Sequence, residues 1–362
     1  MRRTVKRAAA LGMAFVMAAG LAGCTSSANA TKAPETTAAQ TEAPKTEEAK
    51  SEEAKSEAPA SEAETKAAEG TAEKKDYKIA VLLPGPTGYF VATKEGVDAA
   101  AAEYGVTIEY ADAQWDASKQ LAQAEDFMVK GVDLIALCCV DSGSGEKIVK
   151  SAQESNIPVL AFTNAIGSEE TGEYAGLVSY VGQNEVNTGA VTGEIAKNLL
   201  GEAGGKAILI EGVPGTTPQI NRKKGLEQAL EGSNIEIIYN QTSNWEKEQA
   251  LKIVEDLIQK KTEFNVVICQ DDNSATGAGQ ALKEAGMKED VMVIGLGGSK
   301  DGLQAVKDGV IDGTTYMSAV EEGHLAIETS VKYLNGEKVE PVTEIRQVEV
   351  NKDNVDTFKG EW

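Results

Sequence analysis

Lys78-Ile79-Ala80-Val81-Leu82-Leu83 is an apolar run with no polar break after its first residue, and it closes on Pro84-Gly85-Pro86. A strand with one wet face alternates apolar and polar side chains, whereas an unbroken run has to be covered on both faces. Six residues suit a strand better than a helix, and the proline and glycine mark where it stops. Working outward, residues 91–104 carry apolar side chains at helical spacing and end at Gly105, and 106–110 is again a strand. A helix over 119–130 stopped by Gly131, a strand over 134–139, a helix over 146–155 and a strand over 157–162 follow. Pro158 is acceptable near the start of a strand, where no ladder bond is needed.

The cycle then restarts. Helices are expected over 188–201, 221–230, 247–260 and 275–285, with strands over 206–211, 235–239, 266–270 and 291–295. Apolar strands alternating with amphipathic helices predict an α/β fold of doubly wound parallel sheets. About 285 residues exceed one comfortable core, so two lobes are expected, with a first crossing near Val181-Gly182-Gln183-Asn184. In open parallel sheets ligands sit beyond the carboxyl ends of the strands. Two facing sheets would therefore direct the loops 84–90, 138–142, 163–165, 212–222, 243–245, 271–274 and 296–299 at one cleft.

The amino-terminal part reads differently. Met1-Arg2-Arg3-Thr4-Val5-Lys6-Arg7 is basic, 8–22 is apolar, and Gly23-Cys24 follows. The apolar stretch is shorter than the ~20 residues a membrane span needs, so 1–23 is expected to be a secretory signal. Leu21-Ala22-Gly23-Cys24 resembles a lipobox, which makes Cys24 the expected lipidation site and anchors the protein at the extracytoplasmic face of the cell membrane. Residues 24–76 are rich in Ala, Glu, Lys, Thr, Ser and Pro, and 25–75 hold no aromatic residue. With nothing to bury, this acidic segment is expected to stay disordered, a tether of about 40 Å root-mean-square reach.

Charge and residue usage exclude several classes. The chain has 57 acidic and 35 basic residues, a formal net of -22, which argues against a nucleic-acid partner. Its single histidine, His324, leaves little material for zinc clusters or a His-based triad, and no glycine run has dinucleotide or P-loop spacing. Asp271-Asp272 would point to opposite faces if they continued a strand, so they do not form a pair for glycoside hydrolysis. No cofactor and no enzymatic activity are expected. Cys138, Cys139 and Cys269 read as buried free thiols.

What the loops offer suits a polyol. Tyr89, Phe90 and Trp245 present flat apolar faces, while Asp271, Asn164, Thr163 and Arg222 bring polar groups for hydroxyls. Four of them have a plainer alternative: Phe90 as core, Trp245 as a packed loop anchor, Arg222 as a salt bridge from its helix, and Asp271 as the N-cap of the helix that follows.

Thr87-Gly88-Tyr89-Phe90 before a helix with Lys94-Glu95-Gly96, Ser155-Asn156-Ile157-Pro158-Val159, Asn221-Arg222-Lys223-Lys224-Gly225 and Val293-Ile294-Gly295 stand in an order and spacing that resemble the ribose-binding-like branch of the type I periplasmic binding proteins. The resemblance covers about 78–350. It implies two lobes joined by a three-strand hinge, the first made of 77–181 and 318–346, the second of 182–317 and 347–362. It implies a monomeric solute-binding protein that closes on a small sugar-like molecule and delivers it to an ABC permease. The site it implies comprises Thr87, Tyr89, Phe90, Cys138, Thr163, Asn164, Arg222, Trp245, Asp271, Gly297 and Met317. Five residues depart from the family pattern. The Asp-Arg after the fourth strand is Thr163-Asn164, an Asn at the third strand end is Cys138, an Asp in the glycine-rich turn is Gly297, and the hinge glutamine is Met317. With these bonding groups gone, the expected ligand is neither ribose nor glucose but a deoxysugar, a smaller polyol or a furanosyl signalling compound. A sensory subunit serving a membrane kinase or chemoreceptor would share this fold. A repressor of the related fold would need a DNA-binding helix pair where this chain has a secretion signal.

Overall fold

The computed structural model describes residues 76–362. The signal 1–23, Cys24 and all but the last residue of the tether 24–76 lie outside the described residues.

The chain enters as strand β1 (Lys78–Leu83) and proceeds through helix α1 (Gly88–Tyr104), β2 (Thr107–Asp112), α2 (Ala117–Lys130), β3 (Leu134–Leu137), α3 (Ser142–Glu154), β4 (Val159–Phe162) and β5 (Leu177–Gly182). It then crosses to a second unit: α4 (Glu185–Leu200), β6 (Gly205–Glu211), α5 (Thr217–Leu230), β7 (Ile235–Thr242), α6 (Lys247–Gln259), β8 (Val266–Cys269), α7 (Asp272–Glu284), β9 (Met292–Gly297), α8 (Lys300–Lys307) and β10 (Gly313–Tyr316). A second crossing returns it for α9 (Ala319–Leu334) and β11 (Val342–Glu344), and a third leads to β12 (Val348–Asn351). One sheet runs β11-β5-β4-β3-β1-β2, all parallel; the other runs β12-β10-β9-β8-β6-β7, parallel except for β12. β3, β4 and β8 are buried throughout, while the edge strands β2 and β7 are partly exposed, as their more polar sequences require.

Several helices begin three or four residues before the apolar spacing indicates. Their first turns are small or polar and are set by caps. Thr87 accepts from Phe90 N, Asp141 from Ser144 N, Asn184 from Val186 N and Asn187 N, Thr216 from Gln219 N, and Asp271 from Asn273 N and Ser274 N. Asp271 and Asp272 are therefore a cap and a first helical residue, not strand neighbours. Asp272 is buried and accepts from Gly298 N, Ser299 N and Thr314 Oγ1, pinning the glycine-rich turn after β9.

Helix pairs cover each sheet at backbone contact. A Cβ at Gly96 would strike the Val320 carbonyl and one at Gly323 the Thr93 carbonyl, fixing α1 on α9; Gly189 and Gly225 serve α4 and α5 in the same way. Cys138, Cys139 and Cys269 are free and buried. Cys138 packs in the core on one face of the first sheet and Cys139 in the core on the other.

A buried polar seam joins the first lobe's strand ends to the base of α9. Glu322 Oε2 accepts from Thr163 Oγ1 (2.6 Å) and from the Tyr89 hydroxyl (3.0 Å), which itself accepts from Gln183 Nε2 (3.1 Å). Glu322 Oε1 is buried without a partner. Burial pushes the Glu322 carboxyl up to about 8, against the lowering effect of Thr163 and Tyr89. The folded protein thus keeps a proton that the unfolded chain has released at neutral pH.

Two predictions follow from this packing. Gly96→Ala should destabilise by about 1–3 kcal/mol or more, because the new methyl meets backbone that has no room to yield. Gly143→Ala, at an exposed helix position, should be neutral or slightly stabilising; urea denaturation of both checks this. Glu322 contributes stability that is complete below the unfolded value of 4.5 and lost as pH rises through about 8. Wild type should therefore lose more stability between about pH 6 and pH 9 than Glu322→Gln does, read from urea midpoints at each pH.

Candidate functional site

The carboxyl ends of both sheets face one cavity of about 90 Å³. It is well below the ~300–1,000 Å³ of clefts for drug-sized ligands and suits a single small ring or short chain. The first lobe contributes Thr87, Tyr89, Phe90, Trp115, Thr163 and Asn164; the second contributes Thr216, Pro218, Arg222, Trp245, Asp271, Asp272, Asn273, Leu296 and Gly297. Met317, at the second crossing, and Trp362 complete the lining. The lobes touch: Thr217 Oγ1 donates to the Ala165 carbonyl at 2.8 Å, and Lys224 pairs with Glu170 at 2.6 Å.

Ten of the eleven residues expected from sequence meet here. Cys138 does not. Its side chain is fully buried in the first lobe's core beside Leu83, Phe162 and Met317, and its carbonyl accepts from Gln120 Nε2 at 2.8 Å. The apolar run that places Cys138 near a strand end also carries its thiol inward, under the loop and not into the cavity.

Several of the others serve the fold and the cavity together. Phe90 is a core residue, 7% exposed, whose ring meets Tyr89 edge-on at 5.8 Å. Asp271 caps α7 and lines the cavity. Burial pushes its carboxyl up to about 6 against the Ser274 hydroxyl that bonds it, and the Asp272 charge adds to the rise. Arg222 is neither free nor on the surface. Its Nε and Nη2 form a two-pronged pair with Glu185 (2.7 and 2.8 Å), and Nη1 donates to the Gln270 carbonyl at 2.8 Å. Each terminal nitrogen keeps one N–H for another acceptor. The guanidinium carbon also stands 5.9 Å from the centre of the Trp245 ring, so salt bridge and aromatic contact fix its direction. Thr163 holds φ at +56°, a region β-branched residues avoid; the Tyr180 hydroxyl on its carbonyl and Glu322 on its Oγ1 keep it there. Asn164 donates to the Cys139 carbonyl at 2.7 Å.

Trp115 lies outside the residues expected from sequence, although a repeat points to it. Asp112-Ala113-Gln114-Trp115-Asp116 after β2 corresponds to Thr242-Ser243-Asn244-Trp245-Glu246 after β7. Gln114, Trp115, Asn244 and Trp245 all have φ between +54° and +65°, and the two rings lie on Gly85 and Gly212, just past the neighbouring strands. One elbow, used twice, places an indole on each lobe's side of the cavity. His324 lies on α9, 3.0 Å from Glu103 and outside the lining. Among the described residues no group of three or more His, Cys, Asp or Glu side chains could hold a metal ion, and no helix is long and apolar enough to cross a membrane.

Comparison with known proteins agrees with this architecture. The ribose import binding protein of Escherichia coli (strain K12) is 31% identical over 252 residues, 70% of this chain and 82% of that protein. A xylitol-binding protein of Mycolicibacterium smegmatis is 31% identical over 289 residues, 79% of this chain and 80% of its own. The crystal structure of an ABC transporter solute binding protein from Bacillus halodurans C-125 with bound myo-inositol matches with a TM-score of 0.74 at 26% identity, covering 79% of this chain and 98% of the other. The family profile described as periplasmic binding protein domain matches residues 79–338. With two α/β lobes and a cavity between their strand ends, the chain belongs to the periplasmic binding protein family.

Proposed function

We propose that this protein is the solute-binding lipoprotein of an ABC importer, anchored through Cys24 at the outer face of the cell membrane, and that it carries a monosaccharide or related small polyol. The observation that carries the reading is the cavity itself. The rings of Trp115, Trp245 and Phe90 line a space for one small ring, and Thr163, Asn164, Arg222 and Asp271 add polar side chains to the same lining. Sugars have apolar C–H faces and hydroxyl rims, which that combination matches. Relatives named for ribose and xylitol, and a structural neighbour holding myo-inositol, support the same ligand class.

Function then amounts to trapping. The residues 77–181 with 318–346 and 182–317 with 347–362 act as two bodies hinged at the crossings, and a solute that touches both favours the shut state. The permease partner reads the closed form. The protein acts as a monomer, and its site binds without catalysing: Asp272 is held by three donors within the fold, and Asp271 stands without a second free carboxylate. Gly297 and Met317 offer no side-chain hydrogen bond, which supports a ligand with fewer hydroxyls than ribose or glucose.

Native mass spectrometry of the purified protein is expected to reveal a co-purified solute of that size. By isothermal titration with that solute, Trp245→Ala should weaken binding at least about tenfold through lost ring contact. Asp271→Asn keeps a capping side chain but loses the carboxylate, and should weaken binding by a similar factor. If both variants bind as wild type does, the site is elsewhere.

A further inference from the structure

Beyond β12 the chain turns back over the second crossing. The Glu361 carboxylate accepts from Val320 N (3.0 Å), Ser318 Oγ (2.6 Å) and the Tyr316 hydroxyl (3.2 Å), while the Trp362 carbonyl accepts from Lys300 N at 2.8 Å. Phe358 packs on Tyr316 with ring centres 5.0 Å apart. Val320 lies in the first turn of α9 and Lys300 opens α8, so this segment is tied to both lobes. Held in this way, the Trp362 indole lines the cavity. Its pyrrole edge lies on Gly88, its ring meets Tyr89 edge-on at 5.1 Å, and its benzo edge reaches the space where a side chain at Gly297 would stand, with Cζ2 3.2 Å from an ideal Cβ there. Gly297 has φ of +133°, a conformation open to glycine and strained for other residues.

We propose that Trp362 is a specificity-determining wall of the cavity, selecting solutes that turn a deoxygenated, methyl-bearing end toward it. The inference rests on the sugar-site reading above. Leu296, Gly297 and Met317 line the cavity without a side chain that bonds a hydroxyl, and Asp272 Oδ2, 3.6 Å from that same ideal Cβ, already accepts from Gly298 N and Ser299 N. The Gly297 carbonyl accepts from Met317 N at 3.3 Å. A ligand hydroxyl closed into this corner loses water and meets only acceptors that the fold already engages; a methyl loses nothing and gains contact with the indole. The bonding side chains Thr163, Asn164, Arg222 and Asp271 come from other loops and serve the rest of the ligand.

The test uses matched pairs that differ by one hydroxyl: D-ribose with 5-deoxy-D-ribose, L-mannose with L-rhamnose, and L-galactose with L-fucose, titrated calorimetrically into wild type, Trp362→Ala and Trp362→Phe. In any pair that binds, wild type should prefer the deoxy member by at least about tenfold, the cost of one unpaired buried hydroxyl. Trp362→Ala should lower that ratio to about threefold or less, chiefly by weakening the deoxy sugar, and Trp362→Phe should keep most of the preference. Melting curves show which variants are folded, and the phenylalanine variant carries the comparison should the alanine variant be unstable. Equal binding of both members by wild type, or a ratio unchanged in Trp362→Ala, overturns the role of Trp362 while leaving the sugar site standing. Failure of all six sugars to bind wild type overturns this inference, and the absence of any sugar or polyol from the native mass spectrum would overturn the sugar-site reading itself.

Discussion

A parallel sheet covered by helices on both faces presents only the ends of its strands to a ligand, and most other features of this molecule follow from that constraint. β3, β4 and β8 are buried from end to end, so neither sheet has a face on which a solute could lie. The two sheets meet through their carboxyl edges, where loops are short and helix first turns begin. Caps such as Thr87 and Asp271 lie at that edge, so the same side chains that start the helices also border the cavity. Structural and binding roles are therefore superimposed in this region.

The superposition decides which polar groups are free. Arg222 is held by Glu185 and the Gln270 carbonyl, Asp272 by the glycine-rich turn, Thr163 by Glu322 and Tyr180. Each arrives at the site with its direction fixed, and little ordering remains to be done when a solute enters. Preorganisation of this kind lets a small ligand bind well despite the few contacts it can make.

Much of this was legible in the chain. Continuous apolar runs gave the buried strands, and the strand-end rule gave the loops, because both depend on short-range pattern. Helices start earlier than apolar spacing indicates, because caps set their first turns. Cys138 was misplaced because a strand-end position says nothing about which way the side chain turns, and this one turns into the core. Trp115 was readable in principle from its likeness to the Trp245 elbow. Trp362 was not: its place depends on Glu361 meeting Ser318 and Val320 across some forty residues of chain, a closure no local pattern encodes.

The three thiols have a practical corollary. Cys138 and Cys139 are adjacent yet sit on opposite faces of one sheet, while Cys269 is sealed in the other lobe. Burial also raises the pH at which they ionise, for Cys139 to about 12, so little reactive thiolate exists at neutral pH. Alkylating reagents and oxidants reach these sulfurs only when the surrounding lobe opens. Each half of the molecule thus carries an internal chronometer, and labelling rates at 138–139 and at 269 would time the unfolding of the two halves separately.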